Sequence, residues 1–291
     1  MTNFYNYFKV IYFIKMYKII ILIFVCLLFY VLFVYIEKDI YKKQIPVNKL
    51  KRQLLNLIIY NPSIPYEKSF YNILSPYLKT IPFIKVYFIS YRNQVNEIEI
   101  ENDILFINGN ETMIPGVLNK TISALKYCVE HLDIQFDYFI RSNISTWIDY
   151  DKFPFWELVH RKLHYTSSSV LRVLYPSVFY KVGILNIGLL YAQGTNIILS
   201  HEATLYLLKH SSELDFNTID DVAIGKIFSN IYPIVNLSTT QYEKGNILSI
   251  IQSEPNNVFT FRYKSDNRYE DVENMKRDIE SKYIFKSKQN I

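Results

Sequence analysis

The chain has 291 residues, of which 50% are hydrophobic, and a formal net charge of +5 from 32 basic and 27 acidic residues. A chain of this length and apolarity can bury a sizeable core, which excludes a largely disordered protein. Because the basic residues form no block, the composition gives no support to nucleic-acid binding. The two cysteines, Cys26 and Cys128, are too few for a disulfide framework or a cysteine-based zinc site.

An apolar run near the N-terminus predicts a transmembrane helix. Residues 19–36 have the sequence IIILIFVCLLFYVLFVYI, which contains no charge. As a helix this run would span roughly 27 Å, close to the hydrocarbon thickness of a bilayer. It is longer than the core of a signal peptide, and no small-residue cleavage site follows it. We therefore predict a transmembrane signal anchor over 19–36, preceded by a short cytoplasmic tail over 1–18.

The orientation of this anchor is not decided by charge, because three lysines precede it and three follow it at similar distances. N-x-S/T sequons occur after the anchor and weakly favour a lumenal, glycosylated domain with type II topology. The sequons are at Asn110, Asn119, Asn143 and Asn236.

Proline residues mark the segment between the anchor and the globular part. Residues 37–80 contain Pro46, Pro62 and Pro65 and are interpreted as a stem that ends in an opening helix. The globular domain is predicted over 81–291. It begins with IKVYFIS (84–90), an apolar run typical of a strand covered on both faces, and continues with one or two half-buried strands in EIEIENDILFI (97–107).

The middle of the chain has the pattern of a crossover unit. From Gly116 to about His131, apolar residues recur at steps of four and three, which predicts an amphipathic helix. The run FDYFI (136–140) then predicts a buried strand. Strand, helix and strand with short joints indicate an α/β fold with a mostly parallel sheet flanked by helices. Ligands of such sheets bind beyond the carboxyl ends of the strands, where this chain has RSNIS (141–145).

The later segments extend the same pattern. TNIILS (195–200) predicts a strand, and HEATLYLLKH (201–210) predicts a helix with Ser200 as its N-cap. DDVAIGKIFSN (220–230) predicts a helix whose first turn carries two carboxylates, which the helix dipole favours. The polar segment DVENMKRDIESKY (271–283) predicts a surface helix.

Two short motifs suggest metal binding only superficially. Asp149 and Asp151 form a D-x-D sequence, but they follow the predicted strand end by several residues and are interpreted as turn or capping residues. His160 and His164 have the spacing of one helix face, yet no glutamate follows the first histidine as a metalloprotease motif requires. Two histidines alone are interpreted as packing or surface residues.

Taken in order, four segments resemble the glycosyltransferases of the β-1,3-galactosyltransferase and Fringe type, in particular the divergent members carried by large DNA viruses. The resemblance covers roughly residues 84–285. It is carried by Lys120 and Thr121, by Arg141 and Ser142 after the strand, by Gly194 before a strand ending in Ser200, and by the sequence Asp220, Asp221, Val222 with Gly225. Each segment alone is a weak signal, and their order makes the match moderately specific.

The resemblance implies a GT-A-like fold, a nucleotide-sugar donor and inverting transfer to a hydroxyl group of a glycan or protein. It also fits a type II membrane protein with its domain in the lumen of the ER or Golgi. By position, Asp221 matches the catalytic base of the family, with Asp220 beside it. The donor-binding candidates are Arg141, Ser142, Asn143, Ser145, Gly194 and Thr195, to which we add the phosphate-binding candidates Arg262 and Arg268. For these two arginines, ordinary surface charge is the alternative interpretation.

The sequence departs from the family where carboxylates bind manganese. Asn143 and Ser145 occupy those positions, and their neutral oxygens bind a hard divalent cation more weakly than carboxylates do. Three interpretations stay open. The chain is a metal-independent transferase in which Arg141 compensates the diphosphate, an enzyme that binds Mn²⁺ through other ligands, or a catalytically degenerate protein that binds carbohydrate or a partner.

Overall fold

The computed structural model describes residues 53–93, 98–237, 241–243 and 258–289, together with six positions between 21 and 29. The chain divides into two compact units, Met1–Lys51 and Arg52–Ile291. In the first unit the six described positions are helical and exposed. The rest of the predicted anchor over 19–36 and the predicted tail over 1–18 lie outside the described residues. Among the helices that are described, none is both long and apolar enough to cross a bilayer.

A large twisted sheet forms the centre of the second unit. Its strands are β1 (Leu54–Ile59), β2 (Ile84–Arg92), β3 (Ile98–Glu101), β4 (Ile104–Asn108), β5 (Tyr138–Asn143), β7 (Tyr165–Ser167), β10 (Asn196–Ser200) and β11 (Val235–Asn236). They lie in the order β11, β7, β10, β5, β1, β2, β4, β3. Only β3 and β10 run antiparallel to their neighbours in this sheet. The predicted mostly parallel sheet is therefore confirmed.

Two smaller sheets complete the strand inventory of the described residues. The first contains β12 (Gln241–Glu243), β13 (Thr260–Tyr263) and β6 (Thr146–Ile148), in that order. The second is a hairpin of β8 (Val170–Arg172) and β9 (Leu190–Ala192).

Helices cover both faces of the central sheet. They are α1 (Pro65–Lys79), α2 (Gly116–Glu130), α3 (Phe155–His160), α4 (His201–Lys209), α5 (Asp220–Phe228) and α6 (Arg268–Gln289). One hydrophobic cluster joins the sheet to α1 and α6 through residues such as Ile58, Phe70 and Met275. A second cluster joins the opposite face to α2, α4 and α5 through residues such as Leu57, Leu125 and Phe228. The layers are therefore helix, sheet and helix.

Side-chain alternation along the strands decides which residues meet which helices. In β1, Leu54 and Ile58 belong to the first cluster, whereas Leu55 and Leu57 belong to the second. In β5, Ile140 faces α1 and α6 and Phe139 faces the other layer. By the same period of two, Arg141 points toward the layer that contains α5.

The N-terminal boundary of the domain differs from the prediction. Residues 37–80 were expected to form a stem that ends in an opening helix; helix α1 is present, but β1 lies in the middle of the sheet between β2 and β5. Helix α1 packs Phe70 and Leu74 into the core. The run LLNLII has the length and apolarity of a buried strand. The prolines near it are typical of an irregular linker, which is why the strand was not predicted. The compact unit therefore begins at Arg52 rather than at residue 81.

Most of the predicted elements are found where the patterns place them. The runs at 84–90 and 97–107 form β2, β3 and β4, and the predicted helices at 116, 201 and 220 form α2, α4 and α5. Ser200 caps α4, because its side chain accepts a hydrogen bond from the Ala203 amide at 3.1 Å. Residues 271–283 lie within α6.

Candidate functional site

The candidate site lies where β5 ends and β10 begins. Because β10 is antiparallel to β5, the start of β10 meets the carboxyl end of β5, with Asn196 opposite Ser142. Gly194, just before β10, is thereby brought to Arg141 and Asn143. This is the edge at which ligands of such sheets bind.

Arg141 connects three parts of the chain at this edge. Its Nη1 donates to the carbonyl oxygen of Gly194, which also accepts from Nδ2 of Asn143 at 2.7 Å. Its Nη2 lies 2.5 Å from Oδ2 of Asp220 at the start of α5. The guanidinium is only 3% exposed, so the pair is almost removed from water. The predicted residues Arg141, Asn143, Gly194 and Asp220 therefore meet in one cluster.

The ion pair between Arg141 and Asp220 is close but poorly aligned. Among the described residues, Oδ2 of Asp220 makes no hydrogen bond with good geometry, and Nε of Arg141 is buried without a partner. A buried guanidinium with an unused donor is uncommon, since such groups are normally satisfied. This arginine therefore has a donor left for an incoming group.

Asp221 is held by backbone amides on both oxygens. Oδ2 accepts from the Gly194 amide at 3.2 Å, and Oδ1 accepts from the Val222 amide at 2.9 Å. Asp221 and Asp220 occupy the first turn of α5, where the helix dipole stabilises negative charge. The N-cap position of α5 is Ile219, so neither acid serves as the cap. Gly194 is thus hydrogen-bonded to β5 through its carbonyl group and to Asp221 through its amide group.

The electrostatic surroundings make Asp221 a weaker acid than usual. Burial and the neighbouring charge of Asp220 raise the pKa of Asp221 to about 7, against the opposing effects of Arg141 and of the two amide donors. A carboxyl group with a pKa near neutrality can exchange a proton with a substrate at physiological pH. This property distinguishes Asp221 from an ordinary acid at a helix start.

The backbone at Gly194 lies too close to its neighbours to leave room for a side chain. A Cβ atom at this position would lie 2.6 Å from Nη1 of Arg141 and 3.6 Å from Oδ2 of Asp221. Any side chain would therefore push the buried guanidinium out of its place. The glycine in the predicted motif has a packing reason within the cluster.

A second ion pair lies beside the first and was absent from the sequence-based list of site residues. Lys120 of α2 is 1% exposed, and its Nζ donates to both carboxylate oxygens of Glu111 at 2.9 and 2.7 Å and to the Tyr60 carbonyl at 3.1 Å. Burial lowers the pKa of Lys120, Glu111 opposes this effect, and the charge of Arg141 adds to it. The positive charge of Arg141 therefore helps to lower the pKa of Lys120.

A signal for Lys120 exists in the sequence. Gly116, Lys120, Ala124 and Cys128 follow one another at steps of four, and all four are buried. A lysine in a buried row of a helix is expected to have an acidic partner. The sequence does not say which acid this is, because Glu111 lies in the preceding loop.

Several predicted donor-binding residues do not join the cluster. Ser142 points to the opposite face of the sheet, where its Oγ lies 3.1 Å from Oδ1 of Asn56. Ser145 is 2% exposed, and its carbonyl group accepts from the Tyr263 amide. Thr195 is also buried and contacts Gln193 through its hydroxyl group at 3.3 Å. These three side chains are internal packing and hydrogen-bonding residues.

The C-terminal arginines lie in other surroundings. Arg262 of β13 donates to Oγ1 of Thr146 at 3.0 Å. Arg268 donates to the Tyr263 carbonyl, pairs with Asp271, and lies over the ring of Tyr66 at 5.0 Å. Arg268 therefore fastens α6 to α1, and Arg262 contacts β6.

The residues at the predicted metal position offer a poor set of ligands for manganese. Asn143 and Ser145 offer only neutral oxygens, and Ser145 is buried. Asp220 is paired with Arg141, and Asp221 accepts from two amides. Within the described segments no three His, Cys, Asp or Glu side chains lie close enough to hold a metal ion. This donor set does not fit a hard divalent cation.

The two superficial metal motifs have structural roles. Asp149 accepts from the Asp151 amide at 3.1 Å, and both carboxylates pair with Lys282 of α6. This confirms the interpretation of Asp149 and Asp151 as turn residues.

The two histidines do not share a helix, because α3 ends at His160. His160 stacks on Trp156, and His164 stacks on Tyr232. Both are packing residues, as interpreted from the sequence.

Comparison with known proteins gives structural similarity but no sequence match. No protein-family model and no curated protein matches the sequence. Among solved structures, the chain is similar to a glycosyltransferase described as involved in the glycosylation of the major capsid of PBCV-1. The sequence identity is 10%, the match covers 77% of this chain and 99% of the other, and the TM-score is 0.42. Identity and score are both low, so the similarity assigns no function to this chain.

Proposed function

We propose that the chain is a glycosyltransferase that moves a sugar from a nucleotide-sugar donor to a hydroxyl group of a glycan or protein. The observation that carries this proposal is the position of Asp221, an acid with a raised pKa, beside the buried ion pair of Arg141 and Asp220 at the carboxyl edge of the sheet. Three of the four segments that carry the resemblance to glycosyltransferases contribute to this cluster, which supports the same assignment.

In this proposal Asp221 is the general base. It takes the proton of the acceptor hydroxyl as the oxygen bonds to the anomeric carbon of the donor. The bond from that carbon to the diphosphate breaks on the opposite side, and the diphosphate leaves with the electron pair, so the configuration inverts. A pKa near 7 lets Asp221 be unprotonated in a large fraction of molecules while still being basic enough to accept the proton.

Arg141 has two roles in the proposed reaction. In the free protein it pairs with Asp220 and lowers the pKa of Asp221, which keeps the base usable at neutral pH. When the donor binds, its diphosphate competes with Asp220 for the guanidinium, whose Nε has no partner and whose ion pair is poorly aligned. Because the carboxylates of a manganese site are replaced here, we assign the compensation of the leaving charge to Arg141 rather than to a metal ion.

A type II anchor over 19–36 and a domain in the lumen of the ER or Golgi belong to the same proposal. They depend on the apolar run and the sequons, and would give the enzyme access to glycan acceptors.

A second candidate function is binding without catalysis. It is favoured by the engagement of both acids, since Asp220 is paired with Arg141 and Asp221 accepts from two amides. A chain that had lost its transferase activity could keep this cluster for stability and still bind carbohydrate or a partner.

The test is a comparison of Asp221→Asn with the unmodified chain. Each protein is incubated with a panel of nucleotide sugars, with and without manganese, and nucleoside diphosphate release is measured. Loss of the base should lower the rate by about 10²- to 10⁴-fold, while calorimetric donor binding stays within a few-fold. The rates should not depend on manganese.

Asp266→Asn is the matched control, because Asp266 is exposed and lies outside the cluster. Turnover that Asp221→Asn leaves intact would contradict the role of Asp221. Donor binding with no turnover in the unmodified chain would favour the second candidate function.

A further inference from the structure

An exposed apolar hairpin projects from the domain between β8 and β9. Residues 170–192, here called the apolar lobe, consist of these two strands, a bridge between Ser177 and Val182, and a short 3₁₀ turn at Ile184–Asn186. Six of its side chains are large, hydrophobic and at least 69% exposed: Leu174, Tyr175, Val178, Phe179, Ile184 and Leu185. Val178 and Leu185 reach 97% and 95%. Single exposed apolar residues are ordinary, but a concentration of them in one hairpin marks an interaction surface.

The inner side of the lobe is packed against the rest of the domain. Val173 and Val182 form a small cluster with Val222 of α5, joined by Leu189, Tyr191 and Ile219. The lobe is therefore an ordered part of the domain with one buried side and one exposed apolar side. The exposed side chains of the lobe are not covered by the described remainder of the domain.

The charged residues in and beside the lobe along the sequence indicate what kind of partner it binds. From Leu158 to His201 the sequence contains no aspartate or glutamate, but it contains Arg161, Lys162, Arg172 and Lys181. Arg172 and Lys181 lie within the lobe and are exposed. Apolar and tyrosine side chains interspersed with basic residues are typical of surfaces that insert into the interface of an anionic bilayer.

We propose that the apolar lobe docks the domain onto an anionic lipid surface. Leu174, Val178, Phe179 and Leu185 would enter the boundary between headgroups and acyl chains. Arg172 and Lys181 would contact the lipid phosphates, and Tyr175 would lie at headgroup level with its hydroxyl group in water. The proposal uses only residues of the second unit and does not depend on the predicted anchor or on the proposed transferase activity.

The lobe also has a direct link to the candidate site. The Tyr180 carbonyl accepts from the Ile219 amide at 3.3 Å, and Ile219 immediately precedes Asp220 and Asp221. Val222, the residue after Asp221, is part of the cluster beneath the lobe. A domain docked through the lobe would hold the start of α5 near the lipid surface, where an acceptor attached to the membrane would be within reach.

The first test measures vesicle binding by the fragment Arg52–Ile291. Every described residue of both large hydrophobic clusters lies inside this unit, and a cooperative thermal melt verifies that it is folded. Co-sedimentation with vesicles of phosphatidylserine and phosphatidylcholine should show binding that Leu185→Asp weakens by at least about tenfold. Arg172→Gln and Lys181→Gln should each weaken binding to these vesicles by about fivefold and change binding to pure phosphatidylcholine little.

Leu205→Asp is the matched control, since Leu205 is an exposed leucine of α4 outside the lobe. It should bind vesicles as the unmodified fragment does. A folded fragment that binds no vesicles would overturn the proposal. So would a fragment that dimerises through the lobe, losing the dimer in Leu185→Asp without binding lipid, because the occupant would then be a second copy.

The second test uses the full chain reconstituted into vesicles. Phe179→Trp places a fluorophore on the lobe, and Leu205→Trp places one outside it. Brominated lipids should quench the first tryptophan and leave the second near the background of Trp147 and Trp156. Equal quenching of the two variants would overturn the proposal even if the full chain is anchored elsewhere.

Discussion

Two buried cations lie at the same edge of the sheet, and their partners differ. Lys120 pairs directly with Glu111, with Glu67 also acting on its charge, and its remaining donor capacity is used by the Tyr60 carbonyl. Arg141 lies near two acids, Asp220 and Asp221, and pairs with Asp220, while its Nε has no partner among the residues that the structure describes. The hydrogen-bonding capacity of Lys120 is therefore filled, whereas Arg141 has an unused donor and a second acid, Asp221, beside its ion pair.

This difference separates a structural pair from a reactive one. A matched buried pair leaves little free energy to be gained by binding a ligand, because its partners already satisfy each other. A surplus acid in a buried site instead has a raised pKa, and a cation with an unused donor can accept an additional anion. We therefore expect changes at Lys120 and Glu111 to affect stability, and changes around Arg141 to affect chemistry.

The largest expected effect on stability follows from breaking the lysine pair. Glu111→Gln keeps an oxygen for the Tyr91 amide but removes the carboxylate that pairs directly with the buried ammonium group of Lys120. Glu111 is 23% exposed, so the cost lies at the lower end for a buried pair, about 3 kcal/mol in the free energy of unfolding. Urea denaturation followed by circular dichroism measures it.

Two variants control this measurement. Lys120→Met combined with Glu111→Gln removes the unpaired charge and should recover most of the lost stability. Glu157→Gln breaks the exposed helical pair with Arg161 and should cost under about 1 kcal/mol. If Glu111→Gln costs no more than Glu157→Gln, the lysine cluster is not a structural pair.

A smaller effect is expected at the glycine that joins the arginine cluster together. Gly194→Ala places a Cβ atom against Nη1 of Arg141 and should cost about 1–3 kcal/mol while displacing the guanidinium from Asp220. Gly183→Ala is the matched control, because no atom lies within 4 Å of its added Cβ and its φ of −78° suits alanine. Thermal melts measure the stability of both variants, and a titration with nucleotide sugar measures donor binding. Equal behaviour of the two variants would contradict the importance of this close approach.

Periodicity predicted much of the fold, and it failed where a local signal was ambiguous. Helix α2 and strands β2, β4 and β5 follow from apolar runs with clear spacing. Strand β1 was missed because LLNLII lies between lysines and prolines that resemble those of a stem. Its place between β2 and β5 depends on pairing with residues far along the chain, which local spacing does not contain.

The sequence predicted which chain segments meet at the candidate site better than it predicted which side chains point into it. Arg141, Asn143, Gly194, Asp220 and Asp221 meet because strand ends and helix starts gather at one sheet edge. Ser142 belonged to the same segment, but alternation along β5 turns it to the other face, toward Asn56. Arg268 was grouped with Arg262 by distance along the chain, yet it pairs with Asp271 at the start of α6.

The smallest expected effects are shifts of the pH profile, which distinguish the acids of the arginine cluster. Asp221 acts as a base only when unprotonated, so kcat/KM should rise as the pH increases through about 7. The charge of Asp220 raises the pKa of Asp221, and therefore Asp220→Asn should move the profile to lower pH. Arg141 lowers that pKa, so Arg141→Gln should move the profile to higher pH.

Protonation of Asp221 should also change how the free energy of unfolding depends on pH. Because the folded chain binds the Asp221 proton more tightly than the unfolded chain, this group stabilises the fold fully below its ordinary pKa of 3.8, and the contribution is lost as the pH rises to about 7. Asp221→Asn removes the contribution, so the difference in unfolding free energy between the two proteins should change across that interval and be constant outside it. A difference that does not vary with pH, together with a profile that neither Asp220→Asn nor Arg141→Gln moves, would mean that Asp221 has an ordinary pKa. The contrast between the two clusters would then be one of packing alone.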